Sequence, residues 1–194
     1  MISHDLRNKL NIAHGRLELA RETGQEDHFD AVIEALSGVE SISELVVTLA
    51  RSGKPVDRLV EVRLREEVET AFQPLNDPSA QLSVKASARI LADPGCLTQL
   101  LENLFRNAVE HAGGPVTIEV GLLEDGFYIA DNGPGIPEDI RDQVFDLGFS
   151  TSAEHDGKGL AIVQRLAEAH GWDVALETSF EGGTRIEIRG VVFK

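Results

Sequence analysis

Between residues 3 and 22 the apolar positions Leu6, Leu10, Ala13, Leu17 and Ala20 recur at spacings of four, three, four and three. This heptad spacing predicts a helix with one buried seam. Gly24 interrupts the pattern. From 27 to 51 a second stripe runs through Phe29, Val32, Leu36, Val39, Ser43, Val46 and Ala50, widened by Ile33, Ile42, Leu45 and Leu49. The two segments read as an antiparallel helical hairpin. Two helices alone bury little, so the wide second face needs a further partner. A homodimer closing into a four-helix bundle supplies one, and packing of the hairpin on its own downstream domain is the other solution.

The periodicity changes after Ser52-Gly53-Lys54-Pro55, a cluster of breakers and small polar residues that reads as a linker. The expected organisation is a hairpin over 1–52, a linker over 53–57 and a second domain over 58–194, a division that a chain of 194 residues can accommodate. In the second domain VEVRL (60–64) reads as a strand, REEVETAF (65–72) as a helix, and QLSVKA (81–86) and RILA (89–92) as strands. Asp93-Pro94 opens a long helix to about Ala112, with proline in the first turn where its missing amide costs least. VTIEVGLL and FYIAD pair across Glu124-Asp125-Gly126, a helix runs from about Leu160 to His170, and strands over 173–178 and 184–193 complete an α/β sandwich. The fold class is therefore α+β.

Thirty-three acidic residues against eighteen basic ones leave a formal charge of −15, which argues against non-specific nucleic-acid binding and against attraction to anionic lipid. No apolar run approaches the roughly 18 residues of a membrane span, so no membrane contact is expected from this stretch. A single cysteine, Cys96, excludes an internal disulfide and makes a reducing, cytoplasmic compartment the simpler assumption. Thirteen of the eighteen cations are arginines and five are lysines, a balance expected of a protein from a high-salt cytoplasm or of an ordinary acidic protein.

Three strings carry chemistry. On the helix from 94 to 112, Asn103, Asn107 and His111 follow one another at i, i+4 and i+8 beside the apolar stripe, and asparagine is a mediocre helix former. Taken alone, the pair could simply satisfy hydrogen bonds within the fold. DNGPGIP (131–137) follows a strand and is built of turn formers, so alone it reads as a surface turn. SHDLRN (3–8) places His4 beside Asp5, with Asn8 one turn later and away from the seam, where a lone histidine is usually only solvated.

In this order and spacing, the strings resemble the catalytic core of a sensor histidine kinase, and the resemblance covers nearly the whole chain. It implies a dimeric phosphoacceptor hairpin followed by a domain of the histidine-kinase, gyrase and chaperone ATP-binding type. The asparagine box would place Asn107 as ligand of a Mg²⁺ bridging the ATP phosphates and Asn103 at the phosphate end, with His111 on the same helix face; an amide oxygen suits that hard cation. Gly133 and Gly135 would let a planar base approach the backbone, and Asp131 would accept from the exocyclic amine of adenine, where guanine presents a carbonyl. VFDLGFSTS (144–152), with Phe149, resembles the phenylalanine box and would begin a lid running to Gly157. Gly157, Lys158, Gly159 and Leu160 would present helix amides to phosphate. The family string there is Gly-Thr-Gly-Leu-Gly-Leu, and this chain instead places Asp156 and Lys158 beside its glycines. Gly182-Gly183-Thr184 resembles the final glycine box and equally resembles a plain hairpin turn.

By the same resemblance His4 is the phosphoacceptor, Asp5 holds its Nδ1–H so that Nε2 is the nucleophile, and Asn8 orients water when the phosphorylated partner is hydrolysed. Lys9 stands where the family often has proline. The implied activity is ATP-dependent autophosphorylation of His4 and transfer to an aspartate of a response-regulator receiver domain. An upstream sensor or signalling domain in a longer protein is expected. Water-activating ATPases with this kind of pocket place a glutamate where this chain has Asn103, because a general base must take a proton from water; Glu102 next to it keeps that alternative open, and a dimeric scaffold that binds nucleotide poorly is a third.

Overall fold

The computed structural model of the chain describes residues 2–24, 27–29, 31–33, 35–36, 39, 56, 58–149, 157–179 and 182–194, with side chains from Arg7 onward. It divides into two compact units, Met1–Ala50 and Arg51–Lys194. In the first, α1 (Ile2–Thr23) contains the heptad-spaced segment. It ends at Gly24, whose amide donates to the Ala20 carbonyl and whose φ of +69° is the left-handed conformation glycine adopts without penalty. Residues 27–29, 31–33, 35–36 and 39 are helical again, and Arg16 on α1 reaches the His28 ring at 3.4 Å. The rest of the expected second helix and most of the expected linker lie outside the described residues. Ala13, Ala20 and Ala35 are buried, whereas Leu10, Leu17, Phe29 and Leu36 are each more than two-fifths exposed, so the single chain leaves the large side chains of its seam uncovered.

The second unit is a two-layer sandwich. Its chain order is β1 (Val60–Arg63), α2 (Leu64–Phe72), β2 (Ala80–Val84), β3 (Arg89–Ala92), α3 (Pro94–His111), β4 (Val116–Leu122), β5 (Gly126–Asp131), α4 (Gly159–His170), β6 (Asp173–Thr178) and β7 (Thr184–Arg189). Five strands form a mixed sheet in the order β2-β4-β5-β7-β6, with β2 parallel to β4 and the other pairs antiparallel. β1 and β3 form a separate antiparallel pair, which Phe193 extends by bridging Ile90. The buried stripe of α3, including Leu97, Leu100, Leu101 and Phe105, faces α2, α4 and strand β4, where Ile118 and Val120 are buried; Phe127 and Ile188 are buried on β5 and β7. Each such side chain contributes about 1.5–3 kcal/mol by leaving water. Phe72 and Trp172 meet Phe105 and Phe127 edge-on, at 5.6 and 6.3 Å between ring centroids.

Several boundaries differ from the sequence reading. Leu64 begins α2 rather than ending β1, because its side chain is completely buried in the helix layer. β2 ends at Val84, and Lys85 and Ala86 then turn both amides toward the Val120 carbonyl. Gly126 belongs to β5 rather than to the turn: a Cβ there would collide with the Ile188 carbonyl, so glycine is what lets β5 approach β7. The last strand stops at Arg189, since Gly190 at φ +78° redirects Val191–Lys194 toward β3, where the Leu91 amide donates to the Val192 carbonyl.

Candidate functional site

α3 carries the asparagines because Asp93 caps it, accepting the Cys96 amide at 3.0 Å, and Pro94 fills its first turn. Along it Asn103 is buried, Asn107 half-buried and His111 exposed, so the three run from the core to the surface. The Asn103 side-chain nitrogen donates to the Gln99 carbonyl at 2.8 Å within the same helix. Asn107 faces Gly159 at the start of α4, where a Cβ would stand 2.7 Å from the Asn107 Oδ1. The glycine thus makes room for the amide beside a helix N-terminus, whose free amides and dipole favour negative charge. Lys158 is the residue preceding that first turn, and Leu160 is half-buried within it.

Asp131 ends β5. Its Oδ1 accepts the amides of Gly133 at 2.9 Å and Thr184 at 3.1 Å, and its carbonyl accepts the Ser179 hydroxyl at 2.8 Å. One carboxylate oxygen is therefore consumed in holding two loops, which leaves the other as an acceptor for a ligand. The loops close tightly around it. A Cβ on Gly183 would collide with the Asp131 carbonyl, and one on Gly135 would lie 2.5 Å from the Gly182 carbonyl. Gly133 stands against the end of α3, 3.5 Å from the Ala112 Cα to its own would-be Cβ, and so joins this group to the asparagine helix.

Asp131, Gly133, Gly135 and Thr184 are thus brought together, as are Asn107 and Gly159. Phe149 approaches Gly157 through its backbone, and Gly148 donates to the Gly157 carbonyl at 2.9 Å; residues 150–156 between them, including Asp156, lie outside the described residues. His4, Asp5 and Asn8 lie on α1 in the other unit, with Asn8 exposed. Ser179 and Arg141 escaped the sequence reading. Neither sits in a motif: Ser179 bonds the Asp131 carbonyl forty-eight residues away, and Arg141 joins the nearby Ile136 carbonyl to the Thr178 hydroxyl thirty-seven residues on.

Residues 92–190 match the family of histidine kinase-, DNA gyrase B- and HSP90-like ATPases. The chain belongs to this family. The ATPase-family chain is 30% identical to the signal transduction histidine-protein kinase AfsQ2 of Streptomyces coelicolor, over 97% of this chain and 40% of the relative. It is also 30% identical to the sensor histidine kinase ZraS of Salmonella typhimurium, over 99% of this chain and 43% of that one. It spans about two-fifths of the length of these curated relatives. Among solved structures, full-length ShkA in complex with AMPPNP is similar over 99% of this chain and 45% of its own, at a TM-score of 0.70 and 26% identity.

In this ATPase domain one histidine serves the scaffold. His170, at the end of α4, donates from Nδ1 to the Leu166 carbonyl at 2.8 Å and accepts the Asp93 amide on Nε2 at 3.1 Å, while its ring stacks on Trp172 at 4.1 Å. Burial lowers its pKa below 6.5, outweighing the opposing pull of the Leu166 hydrogen bond and the Asp93 charge. The neutral ring therefore ties the caps of α3 and α4 together. No helix of the described residues is long and apolar enough to cross a membrane.

Proposed function

We propose that the chain is the catalytic core of a two-component sensor histidine kinase, which binds ATP in the second unit and phosphorylates His4. The observation that carries the reading is Asp131, whose one oxygen is held by the Gly133 and Thr184 amides while glycines clear the backbone around it. Its other oxygen would accept from the adenine amine. Asn107, facing the first turn of α4, fits an oxygen ligand for Mg²⁺ beside phosphates that the α4 amides would receive. Asn103 and His111 would line the same helix, and Gly157, Lys158, Leu160 and Phe149 would border the phosphate end. Bound Mg²⁺ would neutralise phosphate charge.

In the reaction, Nε2 of His4 attacks the γ-phosphorus, a P–N bond forms, the bond to the bridging oxygen breaks and ADP leaves. Asp5 would hold Nδ1–H, and the phosphoryl group would pass to a carboxylate of a response-regulator receiver domain. Asn8 would orient water when the phosphorylated regulator is hydrolysed. Commitment of the Asn103 amide to Gln99 supports transfer over hydrolysis, since an amide cannot take a proton from water. Residues 1–52 would form the homodimer, for which the exposed Leu10, Leu17 and Phe29 provide apolar surface; 53–57 would link them to the ATP-binding domain, 58–194. We place this core in the cytoplasm, within a longer protein bearing an upstream sensor or signalling domain.

The test is incubation with γ-labelled ATP and Mg²⁺. An acid-labile, base-stable phosphate is expected on the wild type, and its loss in His4→Gln with ATP binding retained would identify the acceptor. Label persisting in that variant would remove His4 from the role.

A further inference from the structure

The loop from Asp131 to Pro137 is held at both ends by neighbouring residues of one distant element. At its start, the Asp131 carbonyl accepts the Ser179 hydroxyl at 2.8 Å. Near its end, the Ile136 carbonyl accepts Nε of Arg141 at 3.1 Å, and the same guanidinium donates through a terminal nitrogen to the Thr178 hydroxyl at 2.8 Å. Thr178 is the last residue of β6 and Ser179 is the next. Arg141 lies in the short 3-10 helix Glu138–Gln143 and reaches back five residues to the loop and forward thirty-seven to β6.

We infer that Arg141 is a positioning residue for the nucleotide site: with Thr178 it fastens the Ile136 end of the glycine loop to β6, as Ser179 fastens the Asp131 end. The inference rests on the nucleotide reading of that loop. Guanidinium suits the task because its donors are fixed in one plane, so bonding the carbonyl through Nε and the hydroxyl through a terminal nitrogen sets the distance between loop and strand. A lysine offers one flexible centre and cannot do both in a fixed geometry. Loop placement matters here because Gly135, next to Ile136, is packed against the Gly182 carbonyl. A loop released at Ile136 can drift from that contact and carry the ring-approach surface away from the Asp131 carboxylate.

The experiment measures ATP affinity by calorimetry on the whole chain, at a temperature where melting curves show every variant folded. Arg141→Ala is expected to raise Kd about tenfold and Thr178→Val about threefold, the scale of one or two hydrogen bonds. Thr178→Ser, which keeps the hydroxyl, should restore wild-type affinity, and Arg141→Ala combined with Thr178→Val should be no weaker than Arg141→Ala alone, because both remove one link. A role in stability only would lower the melting temperature and leave Kd unchanged, and that result overturns the inference, as do additive losses in the double variant. Should Arg141→Ala fail to fold, the Val and Ser substitutions at Thr178 decide alone: equal affinities reject it. A wild-type chain that binds no ATP overturns the nucleotide reading itself and this inference with it; normal wild-type binding with unaffected variants overturns this inference only.

Discussion

One oxygen of Asp131 holds two loops, and on the proposed reading the other would accept from adenine; an amide at that position could do only the first. In Asp131→Asn the carbonyl oxygen can still accept the Gly133 and Thr184 amides, which turns the side-chain NH₂ toward the ligand. There it would meet the adenine amine donor to donor. The expected result is a loss of about 1.5–3 kcal/mol in ATP binding, the range for a hydrogen bond to a charged group, with little change in melting temperature; unchanged calorimetric affinity would count against the pocket. His170 gives a pH dependence whose sign follows from its burial. The unfolded chain takes up a proton near pH 6.5, whereas the folded ring resists protonation because burial disfavours its charged form and lowers its pKa. The unfolded state therefore binds more protons as pH falls through 6.5 toward the folded value, and stability present above 6.5 is lost across that window. Denaturant melts of residues 51–194 within the full chain should show this slope, and His170→Gln should flatten it while lowering stability at neutral pH.

Among the elements, two glycines separate scaffold from site. Gly126 lies in β5 with the Ile188 backbone carbonyl where its Cβ would be, and backbone in a paired sheet cannot swing aside. Gly126→Ala should cost on the order of 1–3 kcal/mol of stability through overpacking, read as a lower denaturation midpoint. Gly159 meets the Asn107 side chain instead, at 2.7 Å from its would-be Cβ to Oδ1. Alanine there gains up to about 1 kcal/mol of helix propensity, which offsets the contact once the amide rotates away. Gly159→Ala should therefore keep or raise the melting temperature and weaken ATP binding specifically in the presence of Mg²⁺. Titrations with and without the metal would check it, and equal affinities in both would remove Asn107 as a ligand.

At the scale of the whole molecule, the charge of −15 concentrates on folding and again on pairing of two chains, so self-repulsion opposes both at low ionic strength. Raising potassium chloride from about 0.1 M to about 1 M shortens the Debye length from roughly 10 Å to roughly 3 Å. A higher melting temperature and a larger dimer fraction in sedimentation are expected, and flat or falling values would reject an origin in a high-salt cytoplasm. Local periodicity was enough to read the helix of 2–23, the apolar stripe of α3 and the alternating strands, because which face is buried is written in residue spacing. The glycines of 131–137 and the aligned Asn103 and Asn107 were also legible, since turn and helix geometry place them without reference to the rest of the chain. Tertiary structure alone decided the parallel pairing of β2 with β4, the capture of Asp131 by Thr184 fifty-three residues later, and the bridge from Ile136 through Arg141 to Thr178. These depend on sheet register and on how closely two backbones approach, and both are set when the helix layer packs on the sheet, where no short window of sequence carries the information.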